Sequence, residues 1–174
     1  MIYFVRHCEA EGQAPEAELT KLGVQQAETL ADFFADKRID GIISSPFKRA
    51  QRSVAPLSHK LGVTIEVDER LSERVLSHKN LHDWLEKLRD SFNDVHLKLE
   101  GGESSLEAAE RGLSVVREIE KRSEENIVIV THGNLLALMI REFDRKFGFT
   151  EWKNLSNPDV YCLHHGRVER LWTN

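Results

Sequence analysis

Apolar residues fall along this chain in two rhythms. Residues 2–5 (Ile-Tyr-Phe-Val), 41–44 (Gly-Ile-Ile-Ser) and 127–130 (Ile-Val-Ile-Val) are short apolar runs of the kind found in strands buried on both faces. Residues 63–67 alternate Val63, Ile65 and Val67, which predicts another strand. Elsewhere the spacing is helical. Val24, Ala27, Leu30, Ala31 and Phe34 predict a helix over 21–36, with Thr20 as its N-cap. Ala50, Val54, Leu57 and Leu61 form one stripe, and Ser45-Pro46 reads as its start, with Ser as cap and Pro at the first helical position. Leu81, Trp84, Leu85 and Leu88 suggest a further helix. Gly101-Gly102-Glu103 reads as a turn. Ser104 and Glu107 fit a capping box opening a helix through Ala108, Val115 and Ile119 that ends near Ser123. Residues 135–143 predict a helix, 144–158 a loop, and 160–163 with 168–172 a hairpin turning at His165-Gly166.

The resulting order is β-α-β-α-β-α-α-β-α-β-β. Strands alternating with helices predict an α/β fold, a three-layer α/β/α sandwich. Its central sheet is mostly parallel, with an antiparallel C-terminal edge strand. Residues 1–174 hold no repeat or linker and are expected to form a single domain. Ligands of such sheets bind beyond the carboxyl ends of the strands, so those ends are where chemistry is expected.

Three of them carry related residues. The first strand ends in Arg6-His7. The second leads through Ser44-Ser45-Pro46 to Arg49, in the first turn of its helix. The fourth ends in Thr131-His132-Gly133-Asn134, at the start of another helix. Parallel strands would bring two imidazoles, two guanidiniums and two helix N-termini to one edge. Helix N-termini favour anions, and guanidinium forks match phosphate oxygens. A single histidine at a strand end is more often structural than catalytic. The coincidence of three such ends is what points to a phosphoryl group.

Composition narrows the partners. The chain is 40% hydrophobic and 30% charged with a net charge of −5, which argues against nucleic acid or an anionic membrane. A small basic pocket remains compatible with that charge. No run approaches a membrane span, the four-residue apolar start does not read as a signal peptide, and two distant cysteines make no disulfide framework. The expectation is a cytoplasmic protein.

Taken in order, the strand-Arg6-His7 start, Leu19-Thr20 with Gly23 and Gln26-Ala27, Ser44-Ser45-Pro46 with Arg49-Ala50, Gly101-Gly102-Glu103-Ser104 and strand-Thr131-His132-Gly133 resemble the histidine phosphatase superfamily, the phosphoglycerate-mutase-like proteins. The resemblance runs from residue 1 to about 135. It implies a metal-independent phosphomonoester hydrolase with no cofactor, acting on a small phosphorylated substrate through a phosphohistidine on His7. Arg6, Arg49 and His132 would clamp the equatorial oxygens, helped by backbone N–H groups near Gly133 and Asn134. The acid/base falls to Glu73 of Leu71-Ser72-Glu73, with Glu9, Glu11 and Asp68 as alternatives. Gln13 stands where the family has a phosphate-binding Asn. Cys8 replaces the family's Gly after the histidine, a change expected to tilt the loop or narrow the pocket floor.

Other readings stay open beside this one. A mutase-type phosphotransferase would need longer insertions, and the Tyr-Gly that mutases carry after the acid is missing here. A non-hydrolytic phospho-ligand-binding regulator would not need both histidines. A cysteine-based phosphatase would need Arg six residues after Cys8, where Ala14 stands. Cys162, His164 and His165 lie on a predicted strand and turn and do not converge on a metal. Of Trp84, Phe92 and Trp152, at least two are expected in the core. Monomer and homodimer are equally compatible with the sequence, and substrate choice is expected to lie in 74–100 and 144–158.

Overall fold

A computed structural model describes residues 1–173. Its sheet has six strands, β1 (Ile2–Arg6), β2 (Gly41–Ser44), β3 (Ile65–Val67), β4 (Ile127–Thr131), β5 (Asp159–His164) and β6 (Arg167–Arg170), in the order β3-β2-β4-β1-β5-β6. The first four are parallel to one another where they pair. β5 runs antiparallel to β1, and the edge strand β6 antiparallel to β5. The expected three-layer, mostly parallel architecture is therefore present, and its antiparallel edge is two strands wide.

Alternation along the strands splits the core in two. Ile2, Phe4, Ile43, Ile127, Ile129, Tyr161 and Leu163 face one layer. Tyr3, Val5, Ile42, Val128, Val130, Val160 and Cys162 face the other. This period of two is hidden in the sequence because both faces are covered. The second layer is closed by α1 (Lys21–Phe34) and α2 (Lys48–Leu61), the first by α3 (Trp84–Asn93), α4 (Ser105–Ile119), α5 (Gly133–Phe143) and α6 (Phe149–Lys153). Among the described residues no helix is long and apolar enough to cross a membrane.

Helix boundaries depart from expectation where local chemistry competes. Thr20 caps α1 by accepting from the Gly23 N–H, but Val24 is exposed and Gly23 is buried in the stripe instead. A Cβ at Gly23 would lie 2.0 Å from the Glu9 carbonyl, so only glycine lets α1 approach that loop. Ser45-Pro46 does not open α2. The helix begins at Lys48 with Phe47 as N-cap, because the Ser45 hydroxyl has another partner, described below. Of the stripe read for α3, Leu88 is buried as expected, but Trp84 and Leu85 are exposed, the packed face continues through Ser91 and Phe92, and Leu81 precedes the helix. Phe92 is core and Trp152 packs against it, so two of the three aromatics are structural. The capping box of Ser104 and Glu107 forms as expected. α4 stops at Ile119, α5 starts two residues early at Gly133, and the expected loop 144–158 contains the short helix α6.

Candidate active site

Register sets the site. Arg6 pairs with Thr131 across β1 and β4, and Ser44 with Val130 across β2 and β4. The ladder continues one residue further: the His7 N–H donates to the Thr131 carbonyl at 3.1 Å, and the Ser45 N–H to the Val130 carbonyl at 2.9 Å. Three neighbouring strands thus end level and deliver His7, Ser45 and His132 to one edge.

His7 is 8% exposed. Its Nδ1 lies 2.7 Å from the Cys8 carbonyl, which can only accept, so Nδ1 carries the ring proton and Nε2 the lone pair. The Arg49 Nε donates to that lone pair at 3.2 Å. Burial, reinforced by the fields of Arg49 and Arg6 and opposed by the Cys8 carbonyl, lowers the pKa of His7 to about 3. The imidazole is neutral at physiological pH, with its lone-pair nitrogen turned towards a guanidinium.

The two arginines are held by backbone carbonyls rather than carboxylates. Arg49, 1% exposed, donates from Nη1 to the carbonyls of Gln13 at 3.1 Å and Ala14 at 2.9 Å. Arg6 donates from Nη1 to the Leu155 carbonyl at 2.9 Å and the Ser156 carbonyl at 3.4 Å. Its guanidinium lies against Gly133, where a Cβ would come within 3.1 Å of Nε. Carbonyl tethers fix position without neutralising charge, so both cations remain available to a ligand.

His132, fully buried, is the N-cap residue of α5. Its ring centroid is 5.1 Å from that of His7 and 4.7 Å from that of Phe47. Nε2 lies 2.7 Å from the Ser45 hydroxyl. Burial first, then the nearby His7 and arginines, hold its pKa well below the usual imidazole value. Among the described residues, the buried His132 Nδ1, Arg6 Nε and Asn134 Oδ1 have no hydrogen-bond partner. An unsatisfied buried polar group costs ~1–3 kcal/mol, so each of these atoms is a position where an incoming water or ligand atom lowers the energy.

Glu73 joins the site from the side. Its Oε1 accepts from the N–H groups of Arg74 at 2.7 Å and Leu135 at 2.9 Å, and its Oε2 from Asn134 at 3.1 Å. A carboxylate thus fills the N-terminus of α5, where the helix dipole favours negative charge. The loop bearing it is pinned by Arg111, which donates to the carbonyls of Arg70 at 2.7 Å, Ser72 at 2.8 Å and Glu73 at 3.3 Å while pairing with Glu103. The buried Thr131 hydroxyl adds a bond to the Leu71 carbonyl.

Arg6, His7, Arg49, Glu73, His132 and Gly133 are therefore gathered. Two expectations shift. The Asn134 N–H is engaged by Glu73 and is not free for a phosphate. Gln13 contributes its carbonyl to Arg49, and its side chain is exposed with no described hydrogen bond. The alternative carboxylates are occupied elsewhere: Glu9 accepts from the Thr20 hydroxyl, Asp68 is gripped by Arg70, and Glu11 is exposed. Cys8 is fully buried in the second core layer, its N–H donating to the Ser53 hydroxyl. Burial pushes its thiol up to about 11, which leaves it protonated and unreactive at neutral pH. Cys162 is buried while His164 and His165 are exposed, so the three do not face one point.

Three contributors went unread in the sequence. Ser45 passes for a helix cap because Pro follows it. Phe47 looks like filler between two motif positions. Asn157 donates to the His7 carbonyl at 2.8 Å from 150 residues away, a pairing that no local pattern signals.

The family model of the histidine phosphatase superfamily (branch 1) matches residues 2–170. A Hydrogenobacter thermophilus protein provisionally named phosphoserine phosphatase 2 is 33% identical over 154 residues, covering 80% of this chain and 76% of that one. A provisionally named phosphoglycerate mutase of Escherichia fergusonii is 29% identical over 157 residues, 80% of this chain and 72% of its own. Among solved structures, a mycobacterial glucosyl-3-phosphoglycerate phosphatase in complex with inorganic phosphate aligns with a TM-score of 0.75. That alignment is 23% identical and covers 98% of this chain and 95% of that one.

Proposed function

Since this chain belongs to the histidine phosphatase superfamily, we propose that it is a phosphomonoester hydrolase working through a phosphohistidine on His7. The observation that carries this reading is a neutral imidazole lone pair facing a charged guanidinium, with the buried, unpartnered Nε of Arg6 and Nδ1 of His132 beside it.

The His7 Nε2 lone pair attacks phosphorus as the phosphorus–oxygen ester bond breaks. Arg49 exchanges its bond to Nε2 for one to a phosphoryl oxygen, and Arg6 and His132 donate to the others. Fixed charges and dipoles of this kind stabilise the transferring group without reorganisation. Glu73, a carboxylate in the resting site, takes up the proton that a monoanionic phosphate ester brings and passes it to the leaving alkoxide. Its carboxylate then removes one from the water that breaks the phosphorus–nitrogen bond, and inorganic phosphate leaves with His7 neutral again. The two guanidiniums supply the positive charge, so the reaction is proposed to run without metal, and a chelator should leave its rate unchanged.

A small phosphorylated substrate fits the family, and relatives are named for phosphoserine and for glucosyl-3-phosphoglycerate. One relative is named as a mutase. Arg74-Val75 follows Glu73 here, in place of the mutases' Tyr-Gly, which favours hydrolysis. Phosphoenzyme trapping tests the reading. Incubation with a generic phosphomonoester should leave acid-labile, base-stable phosphate on the wild type and none on His7→Ala. Equal labelling of both, or of neither, would refute it.

A further inference from the structure

Resting on the hydrolase reading but concerned with a different residue, we propose that Ser45 is a positioning residue that locks His132 in its Nδ1–H tautomer. The ring then presents a neutral donor to the phosphoryl group. The proton positions follow from the network. The Ser45 Oγ, fully buried, accepts from the Phe47 N–H at 3.2 Å and lies 2.7 Å from the His132 Nε2. The Phe47 amide can only donate, so among the described partners the hydroxyl proton has one acceptor, Nε2. Nε2 is then unprotonated, and the ring proton sits on Nδ1.

The opposite assignment leaves two groups unsatisfied. With the proton on Nε2 pointing at Oγ, the hydroxyl hydrogen has no acceptor. The Nδ1 lone pair then has no donor among the described residues. The first assignment leaves only Nδ1–H unpartnered, and an arriving phosphoryl oxygen satisfies it. A bare Nδ1 lone pair would instead repel that oxygen. The depressed pKa of His132 agrees with a ring that stays neutral. Second partners that fix a tautomer commonly matter by one to several orders of magnitude.

Ser45 can do this because of where it stands. Its N–H extends the β2–β4 ladder, and its hydroxyl points across to the residue that follows β4. The same hydroxyl accepts from Phe47, whose ring packs on His132, so one side chain sets the tautomer and fixes the residue that packs on the ring.

Nitrogen-15 histidine spectra of the resting protein, with the His132 signals assigned by their loss in His132→Gln, decide the question without turnover. The wild type should show His132 as the pure Nδ1–H tautomer. Ser45→Ala should show a mixed or reversed tautomer and lose ~10–100-fold in kcat/KM. Affinity for inorganic phosphate, the probe, should fall in parallel. Ser45→Thr, which keeps the hydroxyl, should restore both readouts to within about threefold of wild type. An Nε2–H ring in the wild type would overturn the proposal by itself, whether or not either variant folds. So would Ser45→Ala with tautomer and phosphate affinity unchanged. A correct tautomer in a protein that forms no phosphohistidine would refute the hydrolase reading and leave the lock standing.

Discussion

Glu73→Gln separates the two jobs proposed for one carboxylate. In the resting site both oxygens accept backbone N–H groups, two at Oε1 and one at Oε2. Glutamine can keep the Arg74 and Leu135 bonds with its carbonyl oxygen. Its amide nitrogen then faces the Asn134 N–H, donor against donor, where the carboxylate stood at 3.1 Å. The unmade bond costs ~1–3 kcal/mol, at the low end because Glu73 is half-buried, and lost charge at the α5 N-terminus costs ~0.3–1 kcal/mol more. A total of about 2 kcal/mol lowers the melting temperature of a chain this size by ~4–8 °C. The chemical effect is of another order. A positioned general acid contributes ~10²–10⁴-fold when the leaving group is an alkoxide, and little when it is nitrophenolate, which leaves unprotonated. Comparing kcat/KM for an alkyl phosphate and for nitrophenyl phosphate at 25 °C, far below melting, isolates the acid. The alkyl substrate should lose at least ~10²-fold and the nitrophenyl substrate under ~10-fold. Equal loss on both would mean that the substitution only disturbs geometry. An unchanged melting temperature would mean that the carboxylate does not cap α5.

Two further expectations follow from the same geometry. Gly133→Ala places a methyl 3.1 Å from the Arg6 Nε, and the guanidinium, tied to Leu155 and Ser156, must tilt. The inhibition constant of inorganic phosphate should rise about tenfold with little change in melting temperature, and an unaltered constant would show that Arg6 does not contact the anion. The depressed pKa of His7 makes stability pH-dependent. Below about pH 6.5 the unfolded imidazole takes a proton that the folded one refuses until about pH 3, so stability is full above that window and falls through it. In urea titrations wild type should lose about 1.4 kcal/mol per pH unit more than His7→Gln between pH 6 and 4. Parallel curves would place His7 in a wetter setting than its burial indicates.

The sequence was most legible where chemistry and local structure coincide. Arg6-His7, Arg49 and Thr131-His132 all sit at strand ends or in first helical turns, so knowing the strands was enough to bring them together. Ser104 and Glu107 were legible because a capping box is closed within four residues. Legibility failed where a residue's partner lies on another element. Ser45 followed by Pro looks like a cap until its hydroxyl is seen to belong to His132. Trp84 and Leu85 pass for the inner face of α3 because large apolar residues suggest burial, although the packed face is Leu88, Ser91 and Phe92. The amides near Asn134 looked free for phosphate because nothing in the sequence says that a carboxylate sixty-one residues earlier already fills them.

The placement of β1 between β4 and β5 also has a temporal side. The strand that delivers Arg6 and His7 pairs with residues 127–131 on one edge and 159–163 on the other. Neither neighbour exists until β4 and β5, far along the chain from β1, have been made. At ~5–20 residues per second, ribosomal synthesis leaves this apolar strand unpaired for roughly 6–25 seconds before β4 emerges. Such distant pairing is slow, and it leaves a sticky edge unprotected in the meantime. His7 is thus translated well before β4, yet it can gain His132 beside it only late. Phosphate-binding competence in a nascent or refolding sample would therefore report completion of the centre of the sheet, not merely the formation of its helices.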